Sequence, residues 1–198
     1  DNVTLVISSQ VPIGTTEKIQ EIISKNNKNL NFDIAYVPEN LRLGNSFERF
    51  FNPSMIVVGA KRKETFDTIS KLFDKISAPK IWTTVKTAEF VKHALNCYLA
   101  TSISYANEMG NLADRVGADF YQASKILRLD ERIGLHARVT PGLPFGGWSL
   151  LRDVKVLQKI GDQNRYDTRL IDAVLMVNES QKKWVMKVLK QTLGILKG

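Results

Sequence analysis

The apolar residues of roughly the first 85 positions form short runs separated by amphipathic stretches. Such runs predict buried strands, and four occur: VTLVISS, FDIAYVP, PSMIVVGA and APKIWTT. Helical spacing follows the first run, in IGTTEKIQEIISKNN with its capping-type Thr-Thr-Glu, and the third, in KETFDTISKLFDKIS. Strands alternating with helices predict a parallel α/β sheet. Because four strands are too few for a complete doubly wound domain, we interpret residues 1–86 as its C-terminal half.

From about Thr87 the pattern changes to long helices. Apolar residues at helical spacing continue for about thirty positions, up to Gly117, and predict one long helix. A short helix is predicted in DFYQASKILRLD, a loop in TPGLPFGG, a helix in SLLRDVKVLQKIGD, and one or two helices over residues 167–194. The predicted fold class is α/β plus all-α: half of a Rossmann-like domain over residues 1–86, then a helical domain over residues 87–198.

Composition narrows the class of protein. With 43% apolar and 24% charged residues among 198, the chain is typical of a folded globular protein, and no apolar run approaches the roughly 18 residues that span a membrane. One cysteine excludes a disulfide framework and fits a reducing, cytoplasmic compartment. One cysteine and two histidines also argue against a metal site, and we expect no metal.

The net charge of +8 suits an anionic partner, and a nucleic-acid binder is an alternative that rests on this charge alone. The basic residues are scattered, and no basic stretch carries interleaved aromatic residues. Their densest run, Lys61-Arg62-Lys63, is either a solvated turn or a binding patch. We therefore expect neither nucleic acid nor a membrane as a partner.

Two groups of polar residues are candidates for chemistry. Lys92 and Asn96 lie four apart on the long helix, with Glu89 three before Lys92, so all three share one helix face. They form either an exposed ion pair with a neighbouring amide or an oxyanion-stabilising pair. Glu39 follows a predicted strand, where α/β domains place their ligands; it is either a surface glutamate or a general base acting on water.

The sequence PFGGWSLLRD is the third candidate. Gly146 and Gly147 allow a close backbone approach, and Ser149 after them is either a nucleophile or a helix cap, although Arg152 stands where the acidic partner of a cap is expected. The loop lacks the lysine of a phosphate-binding loop, and neither histidine has an evident place beside Ser149 in a Ser-His-Asp arrangement. Cys97, among apolar residues, is predicted to be a buried small hydrophobe.

The order of seven segments along the chain resembles the UDP-glucose/GDP-mannose dehydrogenase family. They are SSQVPIGTT, VPENLRLG, NPSMIVVG, TAEFVKHALN, ISYANEMGNLADRVGAD, LDERIG and FGGWSLLRD. The resemblance implies an NAD-binding Rossmann domain, a central helical dimerisation domain of the 6-phosphogluconate-dehydrogenase-like type, and a third domain. It implies oxidation of the C6 primary alcohol of a nucleotide sugar, here a UDP-sugar for polysaccharide synthesis, to the uronic acid. Two hydrides would pass to two NAD⁺, and water would hydrolyse the cysteine thioester formed by the second oxidation.

The resemblance also implies roles for individual residues. Glu39 would activate water, Lys92 and Asn96 would stabilise the oxyanion, and Asp153 would assist proton transfer. Arg132 would reach the partner's nucleotide sugar across a homodimer formed by the helical domain. The substrate loop would consist of Phe145, Gly146 and Gly147, and the cofactor side would include Gln10 and Arg152.

The chain departs from the family at several of these positions. Ser149 stands where the family has its cysteine, Gln10 where it has threonine, Leu43 where it has a second glutamate and Arg152 where it has lysine. A serine hydroxyl needs a dedicated base, whereas a thiol is partly ionised near neutral pH. Three explanations stay open: an engineered serine, an enzyme that forms no thioester, or a degenerate, non-catalytic dimerisation module. Because neither the glycine-rich NAD fingerprint nor the third domain is present, we expect the chain to be part of an enzyme and inactive alone.

Overall fold

The computed structural model describes residues 3–39, 41 and 44–194. The chain divides into two compact units, Asp1–Lys92 and His93–Gly198. The division falls inside the long helix, and the domain boundary between residues 86 and 87 stays a prediction. Unit 1 holds a four-stranded sheet and three helices, in the order β1 (Val3–Ile7), α1 (Thr15–Asn26), β2 (Phe32–Tyr36), α2 (Ser46–Phe51), β3 (Ile56–Ala60), α3 (Lys63–Leu72) and β4 (Lys80–Thr83).

The sheet has the strand order β1-β2-β3-β4 and is mixed rather than parallel. The β1–β2 and β3–β4 pairs are parallel, but β2 and β3 run antiparallel, so the prediction of a parallel sheet is wrong at this pair. Helices of 12 and 10 residues, α1 and α3, connect the parallel pairs. In the described residues of the β2–β3 connection, the one helix is the six-residue α2, which the sequence did not predict. A parallel connection needs a longer crossover to return along the sheet.

Strand β3 is the centre of unit 1, since all five of its residues are buried. On one face, Ile56, Val58 and Ala60 pack with Ile69 of α3. On the other face, Val57 packs with Tyr36, Val85 and Ala88. A strand covered on both faces is apolar along its whole length, which is why the sequence pattern revealed β3 without ambiguity.

Unit 2 is helical, as predicted. Helix α4 (Val85–Val116) begins in unit 1, and the other helices are α5 (Phe120–Leu127), α6 (Trp148–Gln163) and α7 (Arg169–Leu193). The stretch 167–194 therefore forms one helix rather than two. The core of unit 2 contains Ala100 of α4, Val154 of α6 and Val174 of α7, together with Phe145 of the loop before α6.

Ser149 is not the cap of α6, contrary to that interpretation. The helix begins at Trp148, its N-cap residue is Gly147, and no side chain caps it. Gly147 has φ 77° and ψ 177°, a conformation that is almost restricted to glycine. The glycine thus decides where the helix begins, and Ser149 lies in its first turn.

Every helix within residues 3–39, 41 and 44–194 is too short or too polar to cross a membrane.

Gly59 is the point where β3 meets the start of α4. A Cβ atom on Gly59 would lie 2.7 Å from the Ala88 Cβ and 2.9 Å from the Val85 Cα. We expect Gly59→Ala to lower the free energy of unfolding by about 1–3 kcal/mol, because strand and helix must separate to admit the methyl group. Urea unfolding followed by circular dichroism measures this.

The matched control is Gly142→Ala, since a Cβ atom there would meet nothing within 4 Å. We expect the control to change stability by less than about 0.5 kcal/mol. Equal effects of the two substitutions would contradict the close approach at Gly59.

Candidate active site

Two predicted site residues follow neighbouring parallel strands of unit 1. Gln10 is half-buried in the loop after β1, and Glu39 is exposed in the segment after β2. The Oε2 atom of Glu39 accepts a hydrogen bond of 2.6 Å from the backbone N–H of Leu41. The carboxyl ends of parallel strands meet at one sheet edge, so the fold supports the predicted placement. Leu43 lies outside the described residues.

Lys92 is buried, with 8% of its surface exposed. Its Nζ donates a hydrogen bond to the carbonyl oxygen of Glu39. Glu89 is completely buried. The interpretation of these two side chains as an exposed ion pair is therefore wrong, because both are inside unit 1 and have partners there.

Glu89 instead caps helix α1. Its Oε1 accepts hydrogen bonds from the Thr16 backbone N–H (2.9 Å) and the Thr16 hydroxyl (2.7 Å), and its Oε2 accepts one from the Gly14 N–H (2.6 Å). The predicted capping by the local Thr-Thr-Glu sequence is wrong, since the N-cap residue is Gly14 and makes no side-chain cap. The actual acceptor lies 73 positions from Thr16, so local sequence carried no signal for it.

The most concentrated chemistry of unit 2 surrounds Asp153, which is completely buried in α6. Its Oδ1 lies 3.1 Å from the Nδ1 of His93 and 3.6 Å from the Nε of Arg152, and its Oδ2 accepts a hydrogen bond from the Asn96 Nδ2. We call these four residues the Asp153 cluster. The structure thus brings together three predicted site residues, Asn96, Asp153 and Arg152, and one that was not predicted, His93.

The Asp153 carboxyl is held as an anion. Burial opposes its ionisation, but the hydrogen bonds from His93 and Asn96, together with the electrostatic attraction of His93 and Arg152, outweigh burial and keep the pKa of Asp153 below its ordinary value. An ionised carboxylate only accepts hydrogen bonds. Near neutral pH, Asp153 therefore orients the groups that donate to it.

His93 was not among the predicted site residues, and its acidic partner is Asp153. It is 2% exposed. The sequence did contain a signal: Glu89, Lys92, His93 and Asn96 have the i, i+3, i+4, i+7 spacing of one helix face. All four are polar, so the spacing by itself does not indicate that Glu89, Lys92 and His93 are buried.

The loop before α6 is held by buried carboxamides. Asn178 accepts from the Phe145 N–H (2.8 Å) and donates to its carbonyl oxygen (3.0 Å), while Asn107 accepts from the Gly142 N–H (2.7 Å) and Gln181 donates to its carbonyl oxygen (2.8 Å). The Phe145 ring packs in the core, whereas Gly146, Gly147 and Ser149 are exposed. The loop thus presents Ser149 from a fixed backbone, one helical turn before Asp153.

The remaining predicted residues lie apart from these groups. Arg132 is exposed, and its Nε and Nη2 donate to the two carboxylate oxygens of Asp130 at 2.9 and 2.7 Å, which lowers the pKa of Asp130. Burial raises the pKa of the half-buried Cys97 thiol, as befits a packing residue. The run Lys61–Lys63 is exposed. Among the described residues, no group of three or more histidine, cysteine or acidic side chains could hold a metal ion.

Comparison with known proteins identifies the class. Residues 1–77 match the NAD-binding domain of the UDP-glucose/GDP-mannose dehydrogenase family, and residues 86–180 match its central domain. The chain belongs to this family, which is one of NAD-dependent oxidoreductases that act on nucleotide sugars. The predicted resemblance, the Rossmann-like-then-helical fold class and NAD as the family's cofactor are thereby confirmed.

Similar proteins cover nearly the whole chain. UDP-glucose 6-dehydrogenase TuaD of Bacillus subtilis is 34% identical over 98% of this chain and 42% of its own length. UDP-glucose 6-dehydrogenase of Rickettsia bellii is 36% identical over 89% of this chain and 41% of its own. The structure of a UDP-glucose dehydrogenase from Pyrobaculum islandicum has a TM-score of 0.92 at 35% identity, covering 100% of this chain and 46% of its own. The chain thus spans less than half the length of these relatives.

The residues of this chain fit only part of a dinucleotide site. Its sequence contains no G-x-G-x-x-G segment, the pattern that binds the pyrophosphate in Rossmann domains. The N-terminus of α1, a type of site that can bind phosphate, is occupied by the Glu89 carboxylate. NAD is therefore the cofactor of the family domain that residues 1–77 match, and this chain alone does not supply its phosphate-binding loop.

Replacing Glu89 tests its capping role. We expect Glu89→Gln to lower the free energy of unfolding by about 1–3 kcal/mol, because an amide cannot accept from all the donors that the carboxylate satisfies. Urea unfolding measures the change. The control is Glu17→Gln on α1, whose ion pair with Lys86 is largely exposed and should contribute nothing measurable. A stable Glu89→Gln protein would refute the cap.

The pH dependence of stability tests Asp153. A lowered folded-state pKa stabilises the fold above the unfolded-state pKa of about 3.9, and this stabilisation disappears as pH falls through the folded-state value. Asp153→Asn should therefore cost about 1.5–3 kcal/mol at neutral pH and progressively less below about pH 4.

Urea unfolding at pH 7, 5 and 3 provides the measurement. The control is Asp162→Asn, because Asp162 is exposed on the same helix; it should change stability little at each pH. A cost for Asp153→Asn that is independent of pH would contradict the ionised state.

Proposed function

We propose that the chain is part of an NAD-dependent oxidoreductase that oxidises the C6 primary alcohol of a UDP-sugar to the uronic acid, and that it is inactive alone. In this proposal residues 1–86 are the second half of the NAD-binding domain, and residues 87–198 are the helical dimerisation domain. The observation that carries the proposal is the Asp153 cluster. A buried carboxylate with both oxygens engaged, one turn after Ser149, is the arrangement of an organised site.

The proposed roles follow from the chemistry of each group. The exposed Glu39 carboxylate would activate water. Lys92 and Asn96 would donate to the oxyanion that develops on the substrate, where ordered donors have their largest effect on rate. The proposal is supported by hydrogen bonds that hold both side chains in place. Lys92 donates from its ammonium group to the carbonyl oxygen of Glu39, and Asn96 donates one N–H of its amide to Asp153. An amide has two such N–H groups, so the second can serve substrate.

The substrate loop and the cofactor side complete the proposal. Gly146 and Gly147 are exposed and would approach the nucleotide sugar by their backbone, while the clamped Phe145 would anchor the loop. Arg132, which is 84% exposed at its side chain, would reach the site of a second copy. Gln10 and Arg152 would lie on the cofactor side. A cytoplasmic location and a part in polysaccharide synthesis belong to the same proposal.

A second candidate is a non-catalytic dimerisation module of the same family. It is favoured by Ser149 and by the outer face of α4, where Tyr98, Tyr105 and Leu112 are 70%, 46% and 51% exposed. These three residues are spaced by seven, which is the repeat of a helix that pairs with another helix. A homodimer through this face fits both candidates, so catalysis alone separates them.

Restoring cysteine at Ser149 decides between the two candidates. The experiment uses a full-length fusion in which residues 1–198 replace the matching part of Bacillus subtilis TuaD. We expect Ser149→Cys to produce UDP-glucuronate from UDP-glucose and NAD, roughly 10³-fold or more faster than the serine form, because the thiol supplies the nucleophile. NADH absorbance and chromatography of the sugar product measure this. The unfused chain should reduce no NAD.

Ser149→Ala in the same fusion is the matched control. If the serine form releases aldehyde and the cysteine form releases acid, the result would support a natural serine enzyme that forms no covalent adduct with its substrate. Fusions that fold and dimerise but stay inactive with either serine or cysteine would refute the enzyme and support the dimerisation module.

A further inference from the structure

His93 is a buried ionisable side chain to which the proposed reaction gives no role. It is 2% exposed, and its Nδ1 lies 3.1 Å from the Oδ1 of Asp153. The other oxygen of the same carboxylate accepts from the Asn96 amide. His93 and Asn96 lie three residues apart on α4, so they hold the two oxygens of one carboxylate from one helix.

We propose that His93 is a positioning residue: its Nδ1–H fixes the Asp153 carboxylate in the plane from which the other oxygen orients the Asn96 amide. The effect of this hydrogen bond on catalysis rests on the proposed function. The hydrogen bond itself and the tautomer that it selects are independent of the proposed function.

The geometry gives His93 the stronger hold on Oδ1. Arg152 Nε lies 3.6 Å from the same oxygen, which is beyond a good hydrogen bond. Arg152 is also 45% exposed, so water weakens its attraction. Without His93, the buried carboxylate would lose a close donor on Oδ1. The carboxylate would then turn toward Arg152 and carry the Asn96 amide out of position.

Side chains from α4, α6 and α7 surround the carboxylate of Asp153. From α4, the Cys97 thiol faces it, and the negative charge of Asp153 helps to raise the pKa of that thiol. From α6 comes Arg152. Helix α7 contributes the apolar side chains Ile171, Val174 and Leu175 to the adjoining core. His93 therefore supplies a directed donor to Oδ1 at 3.1 Å, closer than the Nε of Arg152 at 3.6 Å.

The first test uses the unaltered 198-residue chain. Because it has only two histidines, His93 and His136, ¹⁵N NMR of the imidazole rings assigns each tautomer without ambiguity. We expect His93 to carry a proton on Nδ1, and Asp153→Asn to alter its Nδ1 signal while His136, which is exposed, stays unchanged. A neutral His93 with Nδ1 unprotonated would overturn the proposal.

The second test removes or preserves the donor. Asn places its amide N–H near the position of Nδ1, whereas Phe fills the space without a donor. Followed by ¹³C NMR, the pKa of the Asp153 carboxyl should move upward in both variants, and further in His93→Phe than in His93→Asn, because Asn keeps the donor but not the electrostatic attraction of the ring. An unchanged Asp153 titration in folded His93→Phe would refute the role. So would equal upward shifts in the two folded variants.

The third test measures catalysis in the Ser149→Cys fusion. We expect His93→Phe to lower kcat by roughly 10- to 100-fold, with KM for the UDP-sugar within about twofold. His93→Asn should recover most of the loss, and the control His136→Asn should lose nothing. Equal losses in His93→Phe and His93→Asn would overturn the positioning role. If the fusion itself is inactive, the proposed enzyme fails, and the two NMR tests still decide whether His93 holds Asp153.

Discussion

A buried carboxylate persists only where donors surround it, and helix α4 is organised around this constraint. Glu89 is a residue of α4 in unit 1, and its carboxylate accepts hydrogen bonds from the N-terminus of α1. In unit 2, α4 supplies the donors, since His93 and Asn96 hold Asp153. An unpaired ion in either interior would cost several kcal/mol. In each unit the pairing therefore fixes the position of α4 against its neighbour, and the polar face of the helix becomes structural as well as chemical.

The segment that carries Ser149 depends on the same principle, with neutral groups. Asn107, Asn178 and Gln181 bind the backbone of residues 142–145, where no regular secondary structure could satisfy it. A loop held in this way presents its exposed glycines and serine without rearrangement.

Ser149 and the Asp153 cluster together raise the question of how a serine hydroxyl would react at this position. The cluster contains an ionised acceptor and an oriented amide. Ser149, one helical turn before Asp153, carries a hydroxyl, which is a poorer nucleophile than a thiol unless a base takes its proton. In the proposed enzyme, Ser149 would stand in the place of the family's cysteine and would determine how far the oxidation proceeds.

The sequence alone was sufficient for the family and for the elements other than α2. Strand β3 was predictable because burial on both faces of a strand leaves a continuous apolar run, and helix α4 because burial along one side of a helix leaves a periodic pattern. The segments around Lys92, Asn96 and Asp153 carried the resemblance. The antiparallel β2–β3 pair, the cap of α1 by Glu89 and the bond between His93 and Asp153 were not predictable. Each depends on a partner distant in the chain or on the path of a connection. Local pattern records which residues are buried, whereas only the tertiary structure decides which buried groups satisfy one another.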